Sequence, residues 1–250
     1  MYPHADISRL SEGGGGKLGR LVAPLLRRAE TLVLAYLAGA VPFSNVLAAR
    51  VSGVDLREVG SGTVSGTGLY RVAGFLPLVV AGILDVAKGA VMALVAREPA
   101  GAAPADQNGR DEPRRWPPLR PPSLTEGAAA GLVVAGHNWS PYLDGAGGRG
   151  VSPALGAYAV IAPEASLLLL GGLVLGRLTR QTGLGTFASQ VALVPTLAGT
   201  RGRRGAFAGA AVLAPMLAKR LLGNGPPKPD AGRRVYLARL LYDRDDWVVS

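Results

Sequence analysis

The chain has no cysteine. Disulfides, thiolate nucleophiles and cysteine-ligated zinc or iron–sulfur centres are therefore excluded. Only two histidines occur, His4 and His137, so a histidine-rich metal site is excluded as well. Aromatics make up 6% of residues, and no basic stretch is interleaved with them as a base-stacking platform would be. Nucleic acid is not an expected partner. Charge is scarce too: 18% of residues, where a soluble domain carries about a quarter. Acids are outnumbered, 17 against 27 lysines and arginines, giving a net charge of +10. What fills the chain is Ala, Leu, Val and Gly. Hydrophobic residues are 48% of 250, glycines number 36, and mean hydropathy is positive. Small apolar residues at this density suit helices packed closely in lipid. The expected fold class is all-α, a polytopic integral membrane helical bundle.

Residues 1–30 are polar, Gly-rich and basic, and read as a mobile N-terminal tail with a short interfacial stretch around 21–26. Ala38-Gly39-Ala40 has the form of a signal-peptidase site, but the apolar run continues past it, so cleavage is not expected. The membrane domain spans residues 31–223. Its apolar runs cover 31–49, 69–96, 124–143, 151–178, 183–199 and 205–222. A Pro/Arg-rich loop insert at 98–122 interrupts it, since prolines at that density cannot remain helical. The tail 224–250 is polar, with a short amphipathic helix expected within 233–249.

Six crossings put both tails and the insert on one side, with 19 basic residues there against seven in the other loops. The positive-inside rule makes that side cytosolic. If Pro163-Glu164 splits the 151–178 run, seven crossings result and the basic residues divide evenly, 13 against 13. Charge favours six; the motifs below favour about seven.

Two glycine-rich loops stand directly before apolar helices, each with an arginine. The first carries Arg57, Gly60, Ser61, Gly62, Thr63, Ser65 and Gly68; the second is Gly147-Gly148-Arg149-Gly150. Amides freed by glycine, hydroxyl donors and a guanidinium fork form anion-binding concavities. Plain connecting loops have the same composition. Neither is a P-loop, because G-x-x-x-x-G-K-[ST] is absent. Asp85 and Lys88, three apart in an apolar run, share a helix face, either as a structural ion pair or as part of a site. His137 is a general base, a hydrogen-bond donor to phosphate, or a helix-capping residue. The next acid, Asp144, is seven residues on, so no H-x-x-x-x-D pair exists, and no G-x-S-x-G elbow occurs.

Together these blocks resemble the PlsY-type bacterial glycerol-3-phosphate acyltransferases. Val41-Pro42-Phe43, Asp55-Leu56-Arg57 and Gly60-Ser61-Gly62 resemble that family's first motif. Asp85-Val86-Ala87-Lys88-Gly89 resembles its Asp-x-x-Lys-Gly. Gly136-His137, Pro141 and Gly147-Gly148-Arg149-Gly150-Val151 resemble the second motif; Thr182 and Thr186-Phe187-Ala188-Ser189 resemble the third. The pattern departs at Ala40, where the family has serine, and at Thr63 and Gly68, where it has asparagines. It departs again at Arg149, where the family has lysine, and before Arg220-Leu221-Leu222, where a histidine and an asparagine are missing.

The resemblance implies seven spans with the motif loops on the cytosolic face of a bacterial inner membrane. It implies transfer of an acyl chain from acyl phosphate to the 1-hydroxyl of glycerol 3-phosphate, with no metal or cofactor. His137, Ser61 and Thr186 are the expected catalytic residues. Arg57, Gly60, Gly62, Thr63, Ser65, Lys88, Gly147, Gly148, Arg149, Gly150 and Ser189 are expected at the substrates, and Asp85 is structural. A catalytically altered relative and a small-anion transporter fit the same residues.

Overall fold

A computed structural model describes residues 8–60, 62–97, 120–227 and 232–245, with side chains from residue 22 onward. Every regular element among them is helical: α1 Ser8–Ala40, α2 Phe43–Ser52, α3 Gly66–Ala73, α4 Phe75–Val95, α5 Leu124–Asn138, α6 Val151–Ile161, α7 Pro163–Leu178, α8 Thr182–Leu222 and α9 Arg234–Tyr242. The insert expected at 98–122 lies outside the described residues up to 119, as does Ser61. The stretch expected as a mobile tail is instead helical from Ser8, continuous with the first apolar run.

Local chemistry sets the boundaries. Ser123 and Glu126 form a capping box that starts α5, each satisfying a backbone amide at the helix N-terminus. Gly74 at φ 85° separates α3 from α4, so the 69–96 run is a short amphipathic helix followed by an apolar one. Pro163, at the first position of α7, ends α6, because its ring blocks the helix and it donates no amide bond. Arg201 and Arg203 flank Gly202, whose φ of 64° and ψ of −154° fold α8 into a hairpin. Its arms, 182–201 and 203–222, run back along each other: Gly205 abuts the Leu197 carbonyl, Gly209 abuts Leu193, and Arg220 donates to the Gly183 carbonyl.

Among the described residues, three segments are long and apolar enough to cross a membrane: Val22–Ser52, Phe75–Val95 and Thr182–Leu222. α6, with 11 residues, rises only about 16 Å, roughly half a hydrocarbon core. Large apolar side chains such as Phe75, Leu76, Ile83, Leu167 and Leu178 point outward, as lipid-facing surfaces require. Inside, glycines bring backbones into contact. A Cβ on Gly136 would overlap the Tyr36 carbonyl, one on Gly156 that of Val86, and one on Gly89 that of Pro153. Without a hydrophobic drive between helices in lipid, this close backbone approach supplies the packing energy.

The bundle has two chemically distinct ends. At one, Arg201 donates to both carboxylate oxygens of Glu164, at 2.7 Å each, and to the Arg120 carbonyl. That clips the α6–α7 turn, the α8 hairpin bend and the lead into α5 together. At the other end meet the C-termini of α1, α5 and the second arm of α8, the loops 53–65 and 139–150, and the start of α8.

Candidate functional site

Lys88 is the hub of that second end. Helical spacing puts it beside Asp85, with Nζ 2.8 Å from Asp85 Oδ1. The same ammonium donates to the carbonyls of Gly39 (2.7 Å) and Val41 (3.0 Å), where α1 breaks before Pro42, and lies 3.0 Å from His137 Nδ1. The Asp85 and His137 side chains are 6% and 14% exposed. With Lys88 as the donor in this contact, Nδ1 of His137 accepts, and the ring proton of a neutral imidazole is assigned to Nε2. Nε2 faces Gly148, where a Cβ would overlap the ring. The cleft beside it, lined by Phe43, Ser44, Val64, His137, Gly147 and Gly148, has a volume of about 10 Å³. That is room for about one water.

The two glycine loops are joined directly. Val64 N–H donates to the Gly147 carbonyl at 3.1 Å. Asn224 brackets the same residue, accepting from its amide and donating to its carbonyl. Three of the amides expected to be free for an anion are used within the protein: Gly62 donates to the Val59 carbonyl, Gly147 to Asn224 Oδ1, and Gly148 to the His137 carbonyl. Gly147 and Gly148 serve close approach, since a side chain at either would overlap His137 or Asn138. Gly150, at φ 73°, caps α6 rather than opening a nest. Ser65 caps α3, its hydroxyl accepting from Gly68 N–H.

Arg57 is partly exposed, held by both oxygens of Asp55 and, at 2.8 Å, by Asp144 Oδ2. Asp55 also caps the short helical turn 56–58 by accepting from Arg57 N–H. The guanidinium holds the Asp55 carboxyl below its ordinary value of 3.8 and is itself raised by that carboxylate.

Arg149 points to a different set of partners. Its Nε lies 2.8 and 3.1 Å from the two oxygens of Asp243, and its NH1 donates to the Lys219 carbonyl at 2.7 Å. Thr186 and Ser189 belong to this side. Thr186 donates back into α8 and accepts from Arg220, while Ser189 donates to the Thr186 carbonyl. Apart from the Arg57 loop, with its partners Asp55 and Asp144, and Gly150, the described site residues gather at this end of the bundle in two clusters. Asp85, Lys88, His137, Gly147 and Gly148 form one. Arg149, Thr186, Ser189, Lys219, Arg220 and Asp243 form the other.

Lys88 does not reach outward as a substrate ligand; its partners place it as an internal support for His137. Lys219, Asn224 and Asp243 were not singled out by the sequence as site residues. Lys219 and Arg220 form a basic pair near the end of the last apolar run, 205–222.

Residues 30–222 match the sequence profile of the glycerol-3-phosphate acyltransferase family. A protein named glycerol-3-phosphate acyltransferase from Anaeromyxobacter dehalogenans is 37% identical over 166 residues, covering 66% of this chain and 75% of its own. The protein of the same name from Thermus thermophilus is 37% identical over 163 residues, covering 65% and 71%. Among solved structures, the glycerol 3-phosphate form of PlsY (YgiH), an integral membrane glycerol 3-phosphate acyltransferase, superposes with a TM-score of 0.61. It is 26% identical and covers 77% of this chain and 88% of its own.

Proposed function

This chain belongs to the glycerol-3-phosphate acyltransferase family and is an integral membrane acyltransferase; we propose that it takes its acyl chain from acyl phosphate and delivers it to the 1-hydroxyl of glycerol 3-phosphate. The product is lysophosphatidate, and the reaction belongs to phospholipid biosynthesis.

The observation that carries the reading is His137, fixed by Lys88 at the junction of the two arginine-bearing loops. With Nδ1 taken, the ring presents Nε2–H as a donor. A donor suits the oxygen that gains negative charge when the glycerol hydroxyl attacks the acyl carbonyl carbon. The new ester bond forms as the carbonyl–phosphate oxygen bond breaks. The hydroxyl proton leaves with the departing inorganic phosphate, so no protein base is required. Acyl phosphate is already activated, so no covalent enzyme intermediate is needed, and positioning supplies the acceleration.

Arg57 would hold the phosphate of one substrate by exchanging its outer partner Asp144, which is strongly exposed, for a phosphate oxygen. Arg149, with Gly147 and Gly148 behind it, would hold the other. Thr186 and Ser189 act from the Arg149 side, and Gly60, Gly62 and Thr63 shape the loop after Arg57.

The same end-to-end arrangement supports seven crossings. Loops containing Arg120, Glu164 and Arg201 meet at one end, and the loops of the site at the other. α1, α4, α5, α6, α7 and the two arms of α8 then alternate in direction. We assign the site end to the cytosolic face of a bacterial inner membrane, where the water-soluble substrate is at hand and the acyl chain reaches from lipid. Purified protein given acyl phosphate and labelled glycerol 3-phosphate tests this. Phosphate release must require both substrates and vanish in Arg57→Ala; release without glycerol 3-phosphate, or none at all, overturns the donor assignment.

A further inference from the structure

A second, larger cavity lies beside the cluster around Arg149, and nothing above occupies it. Its volume is about 310 Å³. One wall is the 139–146 turn, another the end of α8, and the third is Gly223–Pro227 together with Tyr236 and Arg239 of α9. That third wall lies beyond residue 222, where the family match ends.

Lys219 lines this cavity and is 1% exposed. Its ammonium is poorly satisfied. One hydrogen bond reaches the Gly145 carbonyl at a long 3.3 Å, and the Trp139 ring lies 5.4 Å away. No carboxylate pairs with it among the described residues. Asp144, which also lines the cavity, is held by Arg57 at 2.8 Å, and Arg239 is held by Asp245. Positive charge accumulates next to it: Arg149 donates to the Lys219 carbonyl, and Arg220 follows in sequence. Asp243 is the carboxylate set against that group, and Arg149 takes it. A buried ammonium with two unspent N–H groups is costly unless an anion completes it.

We propose that this cavity is a binding site for a phosphate monoester, whose dianionic oxygens are held by Lys219 Nζ. Trp139 and Tyr236 furnish aromatic walls for the attached carbon chain. The chemistry fits a soluble phosphate or the headgroup of a lysophosphatidate equally. The assignment rests on the charge and shape of the cavity, and on the acyltransferase reading only for the choice of monoesters to test.

The test uses the full chain in detergent micelles. Inorganic phosphate, glycerol 3-phosphate and lysophosphatidate are titrated separately, followed by calorimetry and by Trp139 fluorescence, with Trp139→Phe identifying the signal. Loss of one charge-assisted interaction weakens binding by about tenfold or more. Lys219→Gln is therefore expected to bind inorganic phosphate at least about tenfold more weakly, while Lys219→Arg stays close to the wild type. Thermal midpoints of the three proteins check that each is folded. A response saturated by glycerol 3-phosphate identifies a soluble ligand; one saturated only by lysophosphatidate identifies the lipid headgroup; either supports the site. Unchanged phosphate affinity in Lys219→Gln, or no phosphate-dependent Trp139 response in the wild type, overturns it. A protein that binds phosphate through Lys219 but transfers no acyl group overturns the reaction and leaves the site standing. Normal turnover with Lys219-independent phosphate binding does the reverse.

Discussion

Arg149 and Asp243 form an ion pair with Nε 2.8 Å from Oδ1, tying the second glycine loop to the residue that ends α9. Both side chains are largely covered, at 16% and 27% exposure. The pair connects the domain shared with the family to a segment outside it. α9 is held there by more than this contact: Arg220 donates to the Leu240 carbonyl, and Arg239 donates to the carbonyls of Leu222 and Gly225. If Arg149 holds a substrate phosphate, Asp243 competes with it for the same guanidinium.

Asp243→Asn is therefore expected to lower KM for the phosphate that Arg149 receives. A partly exposed pair is worth about 1 kcal/mol, which corresponds to about fivefold in KM. Steady-state kinetics against each substrate in turn checks this. An unchanged KM for both, with a lower melting temperature, would make the pair purely structural.

Lys88→Met should destabilise the fold by about 3–5 kcal/mol, because Asp85 is left buried with its charge unpaired. The double variant Asp85→Asn with Lys88→Met should recover much of that loss. Unfolding followed in detergent by far-ultraviolet circular dichroism compares the three. A double variant no more stable than the single one would show that Lys88 acts mainly through the Gly39 and Val41 carbonyls.

His137→Gln and His137→Ala separate a donor from a base. A glutamine amide places an N–H close to the position of Nε2 but has no titratable proton to take up. Removing a single donor at a developing oxyanion costs about 100-fold or more in kcat. The donor role predicts that the glutamine variant retains at least about tenfold more activity than the alanine variant. Equal loss in the two would assign His137 as a base.

The Asp55–Arg57 pair gives a pH dependence of defined sign. The folded carboxyl titrates below its ordinary value of 3.8. Its stabilisation is thus complete above that value and is lost as pH falls through the depressed one. Because Asp55 is near the surface, the effect is small and screened by salt, a fall of about 2 °C in melting temperature between pH 5 and pH 3. Asp55→Asn should abolish that increment without altering the rest of the acid limb.

Composition was enough to specify a helical membrane protein. Few charges and long apolar runs of about helix-spanning length mean that each run satisfies its own backbone as a helix in lipid. The boundary signals were equally readable, because each acts through its own backbone: Pro163 ends α6, and Ser123 with Glu126 starts α5. The pairing of Asp85 with Lys88 followed from helix geometry alone. What the chain order concealed was direction. Arg57 and Arg149 lie at the same end of the bundle but face separate partners, which depends on how loops 53–65 and 139–150 cross. The glycines looked like amide donors in the sequence, whereas the fold uses Gly147 and Gly148 to let His137 close on the backbone. Lys219 and Asp243 acquire meaning only when the α8 hairpin and α9 bring residues far apart in the chain against one loop. Local signals are written in neighbouring residues and can be read from them. A site assembled from the ends of several helices is fixed only by their packing, here by glycine contacts between backbones that no single segment reveals.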